Sequence, residues 1–131
     1  MRAAHQFLTF TTPNPMQYGS AAALGAPDEY YRTLCEGYLT KREILTKGLE
    51  SIGFGVIVPQ GAYYVLADHR PFGFSDDLAF VDHLIRDVGV AAIPPSFFYH
   101  RSDEGRGLVR FAFCKEDPVL HAALDRLRNS L

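Results

Sequence analysis

Between Asp28 and Ile52 apolar side chains recur every three or four positions, at Tyr31, Leu34, Tyr38, Leu45, Leu49 and Ile52, which is the stripe of a long amphipathic helix. Pro27 with Asp28 and Glu29 suits its first turn, and Gly53 its stop. The period then changes. Gly55-Val56-Ile57-Val58 and Ala62-Tyr63-Tyr64-Val65-Leu66 are short β-rich runs flanking Pro59-Gln60-Gly61, which predicts a hairpin. Ser75 is the expected cap of another helix, with Asp76 and Asp77 in its first turn, Leu78, Val81, Leu84, Ile85 and Val88 as its buried stripe, and Gly89 as its end. Val90 to Ile93 reads as a short strand and Pro94-Pro95 as a break. Gly107 to Cys114 reads as a stronger strand with Val109, Phe111 and Phe113 on one face. A last helix begins at Asp117-Pro118 and presents Leu120, Ala123, Leu124, Leu127 and Leu131 to the core.

Ahead of these elements, Thr11-Thr12-Pro13-Asn14-Pro15 predicts extended or turning chain, and Met16 to Leu24 a short helix broken by Gly25-Ala26-Pro27. The expected organisation is an extended and short-helical lead-in over residues 1–25, followed by one α+β domain over residues 26–131. In that domain helices cover a small, mainly antiparallel sheet.

Composition narrows the function classes. At 131 residues with 47% hydrophobic and 21% charged positions, the chain has material for one core. Thirteen Lys+Arg against 15 Asp+Glu give a net charge of -2, which supplies no basic field for nucleic acid or an anionic membrane. No apolar run reaches the ~18 residues that span a bilayer. The start, Met1-Arg2-Ala3-Ala4-His5-Gln6, lacks the apolar core of a secretion signal. Cys35 and Cys114 form no CxxC pair and read as buried core thiols in a reducing, cytoplasmic compartment. His5, His69, His83, His100 and His121 show no metal-ligand spacing, so no metal is expected. Asp68, Asp76-Asp77 and Asp103-Glu104 read as loop and capping residues.

The position that stands out chemically is Arg110, a charge interrupting the apolar run Leu108-Val109-x-Phe111-Ala112-Phe113. Alternation leaves two places for it, buried with a partner or on the solvent face. Lys41 and Lys47 lie on the long helix, and Lys115 follows the Arg110 strand. All three read as solvated amines.

Several short pieces, in order and at matching separations, carry a resemblance: His5-Gln6, Phe10-Thr11-Thr12-Pro13, Gln17, Gln60-Gly61-Ala62-Tyr63-Tyr64, Ala91-Ala92-Ile93-Pro94-Pro95-Ser96-Phe97-Phe98-Tyr99 and Val109-Arg110-Phe111-Ala112-Phe113-Cys114-Lys115. Together they resemble the small C-terminal domain of class I aminotransferases of fold type I, nearest to the kynurenine, glutamine and methionine transaminases. The resemblance implies transfer of an amino group from an amino acid to a 2-oxo acid on pyridoxal phosphate, in an enzyme whose large cofactor domain and Schiff-base lysine precede the matched stretch. None of the three lysines matches that position. No catalytic residue is therefore assigned to this chain, and by itself it is expected to bind no cofactor and to be inactive. The resemblance assigns Arg110 to the substrate carboxylate, since a guanidinium fork can donate two parallel charge-assisted hydrogen bonds. It also implies a homodimer in which Phe10 and Thr11 reach the neighbouring subunit's active site, although Thr11 departs from the histidine found in kynurenine-type relatives. Uncovered apolar surface on the long helix would favour self-association.

A different class of function competes. Arg106-Gly107-Leu108-Val109-Arg110-Phe111-Ala112-Phe113 partly echoes the strand of RNA-recognition domains, so a stand-alone noncatalytic ligand- or RNA-binding module is the alternative.

Overall fold

The computed structural model describes residues 2–131, apart from the side chains of Thr9 and Ser102. By internal contacts the chain divides into two units, residues 1–35 and 36–131.

The first unit holds helix α1 (Arg2–Thr9), helix α2 (Asn14–Leu24) and the opening turns of helix α3 (Asp28–Ile52). The sequence pattern did not predict α1, whose eight residues carry no proline and no cap signal. Helix α2 opens with Pro15 in its first turn, where a missing N–H costs nothing. Gln17 Nε2 donates to the Thr12 carbonyl at 2.7 Å across that start. No residue of α2 is buried, and Phe7, Leu8, Phe10, Met16, Tyr18 and Leu24 are all exposed.

The second unit contains the remainder of α3, an antiparallel sheet of β1 (Gly55–Ile57), β2 (Tyr64–Asp68) and β3 (Leu108–Ala112) in that order, helix α4 (Asp77–His83) and helix α5 (Asp117–Ser130). The α+β expectation holds. The hairpin forms as predicted, with Val56 opposite Ala67, and β3 returns on the far side of β2 with Leu66 opposite Arg110 and Val65 opposite Phe111. Side-chain alternation then sends Val65, Ala67, Val109 and Phe111 to one face. There they pack with Leu45, Leu49, Phe80, Leu84, Leu120, Leu124 and Leu127 from the helices. Phe54 joins Phe72, Phe80 and Phe111 in an aromatic cluster, with centroid separations of 4.6, 6.0 and 5.7 Å. Helices α3 and α5 approach closely because Gly48 has no side chain: a Cβ there would lie 2.4 Å from Leu124 Cδ1.

Five expectations need correction. The cap of α4 is Asp76, whose carboxylate accepts from Ala79 N at 2.9 Å, and not Ser75; both residues offer an oxygen, but Asp76 has the extended backbone that a cap requires. The α4 stripe is only half right. Phe80, Val81, Leu84 and Val88 are buried at the usual three-to-four-residue spacing, the last two in a π-helical turn over Leu84–Val88, while Leu78 and Ile85 fall one position off that stripe and are exposed. Residues 90–93 form no strand; only Ile93 pairs with β3, through a bridge to Arg110. At the ends of the stripes, Leu131 is exposed, and Cys35, expected in the core, is exposed on α3.

Candidate functional site

Arg110 lies in the middle of β3, between Val109 and Phe111, whose side chains are buried on the helix-covered face. Alternation therefore turns Arg110 to the other face, which no helix covers in the contacts that build the core. Its backbone is fixed on both sides: Leu66 faces it in β2, and Arg110 and Ile93 each donate their N–H to the other's carbonyl at 3.0 Å.

The guanidinium is in cation-π contact with two rings. Its Cζ stands 5.0 Å from the centroid of Tyr64 and 4.7 Å from that of Phe98. Tyr64 comes from β2, diagonal to Arg110 on the same face, and Phe98 from the 3-10 turn Pro95–Phe98. Cation-π contact of this kind is worth about 0.5–1 kcal/mol per ring at an exposed site. Arg110 is half-buried, and the ion pairs among the described residues do not include it. Its hydrogen-bonding edge is thus available for an anion that brings two oxygens.

The same face carries a second cation that is already engaged. Arg70 chelates Asp68 at the end of β2, with Nε 2.9 Å from both carboxylate oxygens. That side-chain hydrogen bond holds the Asp68 carboxyl below the usual carboxylate range. Ile57, Tyr63, Phe97 and Phe98 are exposed.

Other sequence candidates fall as follows. Tyr63 and Tyr64 are both exposed, Tyr63 just outside β2, and their rings meet edge to face at 5.9 Å; neither packs in the core. Gly61 has an ordinary φ and open space around it, whereas Ala62 takes the left-handed value of +60°. Phe10 is exposed with φ +49° just past α1, and Thr11 follows it. Lys47 is exposed and pairs with Glu43 at 3.0 Å, Lys115 is exposed and Lys41 half-buried. A Schiff base to pyridoxal phosphate needs a lysine sheltered from water beside phosphate donors. Among the described residues no lysine is buried, so the residues present do not fit that cofactor. No cluster of three potential metal-binding side chains occurs among the described residues, and none of their helices is long and apolar enough to cross a membrane. The RNA-recognition alternative loses its basis, because Phe111 and Phe113, the rings that would stack on bases, are 4% and 1% exposed.

Two residues of structural weight escaped the sequence pattern. His69, 1% exposed, stacks on Phe80 at 4.6 Å and shares a 2.9 Å hydrogen bond with the Arg106 carbonyl through Nε2. Asp77, also 1% exposed, accepts from Ser96 N at 2.8 Å instead of capping its helix.

Known proteins resemble this chain in sequence and fold. A family model described as aminotransferase class I and II matches residues 1–127. A "Probable N-succinyldiaminopimelate aminotransferase" of Mycobacterium tuberculosis is 38% identical over 97% of the chain, and the methionine aminotransferase of Escherichia coli is 36% identical over 98%. The kynurenine–oxoglutarate transaminase of Dictyostelium discoideum is 31% identical over 94%. Among solved structures, an N-succinyldiaminopimelate aminotransferase from M. tuberculosis superimposes with a TM-score of 0.86 and 41% identity, over 98% of this chain and 33% of that one. The E. coli protein with a methionine aminotransferase function gives 0.81 and 36% over the same shares. The chain spans about a third of the length of these relatives, 34% and 33% for the first two.

Proposed function

Since the chain belongs to the class I and II aminotransferase family, whose chemistry depends on pyridoxal phosphate, we propose that it is the small domain of an amino-acid transaminase and that Arg110 binds the substrate carboxylate. The observation that carries this reading is the Arg110 guanidinium, placed on the open face of the sheet in contact with Tyr64 and Phe98 and with no ion-pair partner among the described residues.

The Arg110 guanidinium donates two parallel N–H bonds to a planar carboxylate. Tyr64 and Phe98 each lie within cation-π reach of the fork and help to hold it in place. The backbone bonds to Ile93 and the pairing with β2 fix where the side chain starts. When bound in the complete enzyme, pyridoxal phosphate supplies the electron sink for amino transfer to a 2-oxo acid. This chain holds the substrate and contributes no proton-transfer group. Alone it forms no specific adduct with pyridoxal phosphate and is inactive.

The same reading makes the working protein a homodimer in which Phe10 and Thr11, both exposed, face the neighbouring subunit's site. Within it, residues 1–25 serve as the lead-in and residues 26–131 as the domain, in the cytoplasm. Joining this chain to the cofactor domain of the E. coli relative tests the reading. Arg110→Ala should lower kcat/KM about 100-fold, the scale of two lost charge-assisted hydrogen bonds. An unchanged kcat/KM would sink the assignment.

A further inference from the structure

We infer that Asp77 is a positioning residue for Arg110, acting through the turn that carries Phe98; the functional half of this inference rests on the carboxylate-binding reading above. Asp77 stands in the first turn of α4, yet its side chain is turned inward, 1% exposed, and Oδ2 accepts from Ser96 N at 2.8 Å. Nineteen residues separate the partners, so this bond ties the Pro95–Phe98 turn to a packed helix.

The turn is gripped from a second side. Gly105 lies so close that a Cβ on it would fall 2.6 Å from Ser96 N and 2.7 Å from Ser96 Cα. Ser96 is therefore held between the Asp77 carboxylate and the Gly105 backbone, with Pro95 and Ser96 both buried. Phe98, two residues on, is 65% exposed. A ring that exposed has little core packing to place it, so its position follows from the backbone that carries it. That backbone sets the ring 4.7 Å from Arg110 Cζ.

Taking a carboxylate out of water costs free energy, and a charge-assisted bond to an amide offsets part of that cost. An apolar side chain at position 77 would avoid that cost but leave the buried Ser96 N–H without an acceptor. The carboxylate instead gives the turn a fixed height over β3. Asp77, Ser96 and Phe98 form one line of contacts ending on the guanidinium, and the line helps to hold the fork that meets a carboxylate.

The test uses this 131-residue chain and the NMR resonances of the Arg110 side chain, assigned with Arg110→Lys. Phe98→Leu should remove the upfield ring-current shift that the Phe98 ring imposes on the Arg110 protons. Asp77→Ala should move the same protons the same way without touching either partner, while Asp77→Asn, whose amide oxygen still accepts from Ser96 N, should restore the original shift. If Asp77→Ala does not fold, Asp77→Glu, which displaces the carboxylate by one methylene, gives the same reading. A folded Asp77→Ala or Asp77→Glu chain with unmoved Arg110 protons overturns the inference. Titration with 2-oxoglutarate then reads the consequence: Asp77→Ala and Phe98→Leu should each weaken binding about threefold, the scale of one lost cation-π contact. Undiminished binding by Arg110→Ala would overturn the carboxylate reading, and with it the purpose assigned to Asp77, even with the proton shifts as expected. Loss of binding in Arg110→Ala with unmoved shifts in Asp77→Ala would overturn only the positioning role.

Discussion

The two faces of the three-stranded sheet share one backbone and one register, yet they do different work. Val65, Ala67, Val109 and Phe111 on the covered face are each no more than 4% exposed, and helices enclose them. Tyr64, Leu66 and Arg110 on the open face are half-buried or exposed, and the guanidinium is held by two rings and by its neighbours' backbone. Neighbouring positions on β3 are thereby split, with 109 and 111 buried in the core and 110, the position proposed for recognition, on the open face. A period of two is enough to separate those tasks within five residues. Substitutions on the two faces should therefore fail in different ways.

The sharpest break of that separation comes from Phe111→Ala. Emptying a fully packed aromatic site should cost about 3–5 kcal/mol in urea denaturation. A cost below about 1 kcal/mol would remove Phe111 from the core. Arg110→Ala should shift the same unfolding curve by about 1–2 kcal/mol at most, the scale of its two ring contacts. If it unfolds the chain as severely as Phe111→Ala, the two faces are not separable. Arg110→Lys is gentler still for the fold and distinguishes charge from shape. It should weaken 2-oxoglutarate binding about tenfold, because an ammonium lacks the paired donors of the fork. Affinity equal to the parent would mean that a point charge suffices.

The smallest effect lies at the edge of the open face. Arg70 depresses the Asp68 carboxyl, so the folded state favours the ionised form more than the unfolded chain does. Stability from this pair is present above the ordinary carboxylate value of 3.8 and is lost as pH falls through the lower folded value. Arg70→Ala should flatten that acid-side loss in thermal melts taken from neutral pH down to the acid range. Identical acid profiles in the two chains would show that the pair contributes nothing.

What the sequence exposed and what it hid follow the range of the interactions involved. The β3 alternation was readable because it depends on adjacent residues, and it placed Val109, Phe111 and Phe113 correctly. The same alternation allowed Arg110 either a buried or a solvent place, and only the sheet's uncovered face decided between them. Tyr64 reads as a core tyrosine in a strand, since nothing local shows that its face lacks a helix. Phe98 lies past two prolines in a 3-10 turn, where no periodicity assigns a direction. Asp77 resembles any acidic residue opening a helix, and its bond to Ser96 spans too much sequence to be inferred. Ser75 and Asp76 both offer a capping oxygen, and the bond from Ala79 N is what identifies Asp76 as the cap. Helix α1 was hidden for a related reason: its residues are all compatible with a helix and none demands one.

The close crossing of α3 and α5 has a consequence for recombination among relatives. The methyl groups of Leu124 occupy the volume that a side chain at position 48 would need. Genetic exchange, natural or in the laboratory, that brings in a larger residue at 48 forces the Leu124 side chain to move or favours a smaller one there. The two positions are physically coupled, although 75 residues of sequence lie between them. A splice point inside that interval joins mismatched halves unless both parents solved the crossing with the same pair, whereas one placed before α3 leaves the pair intact.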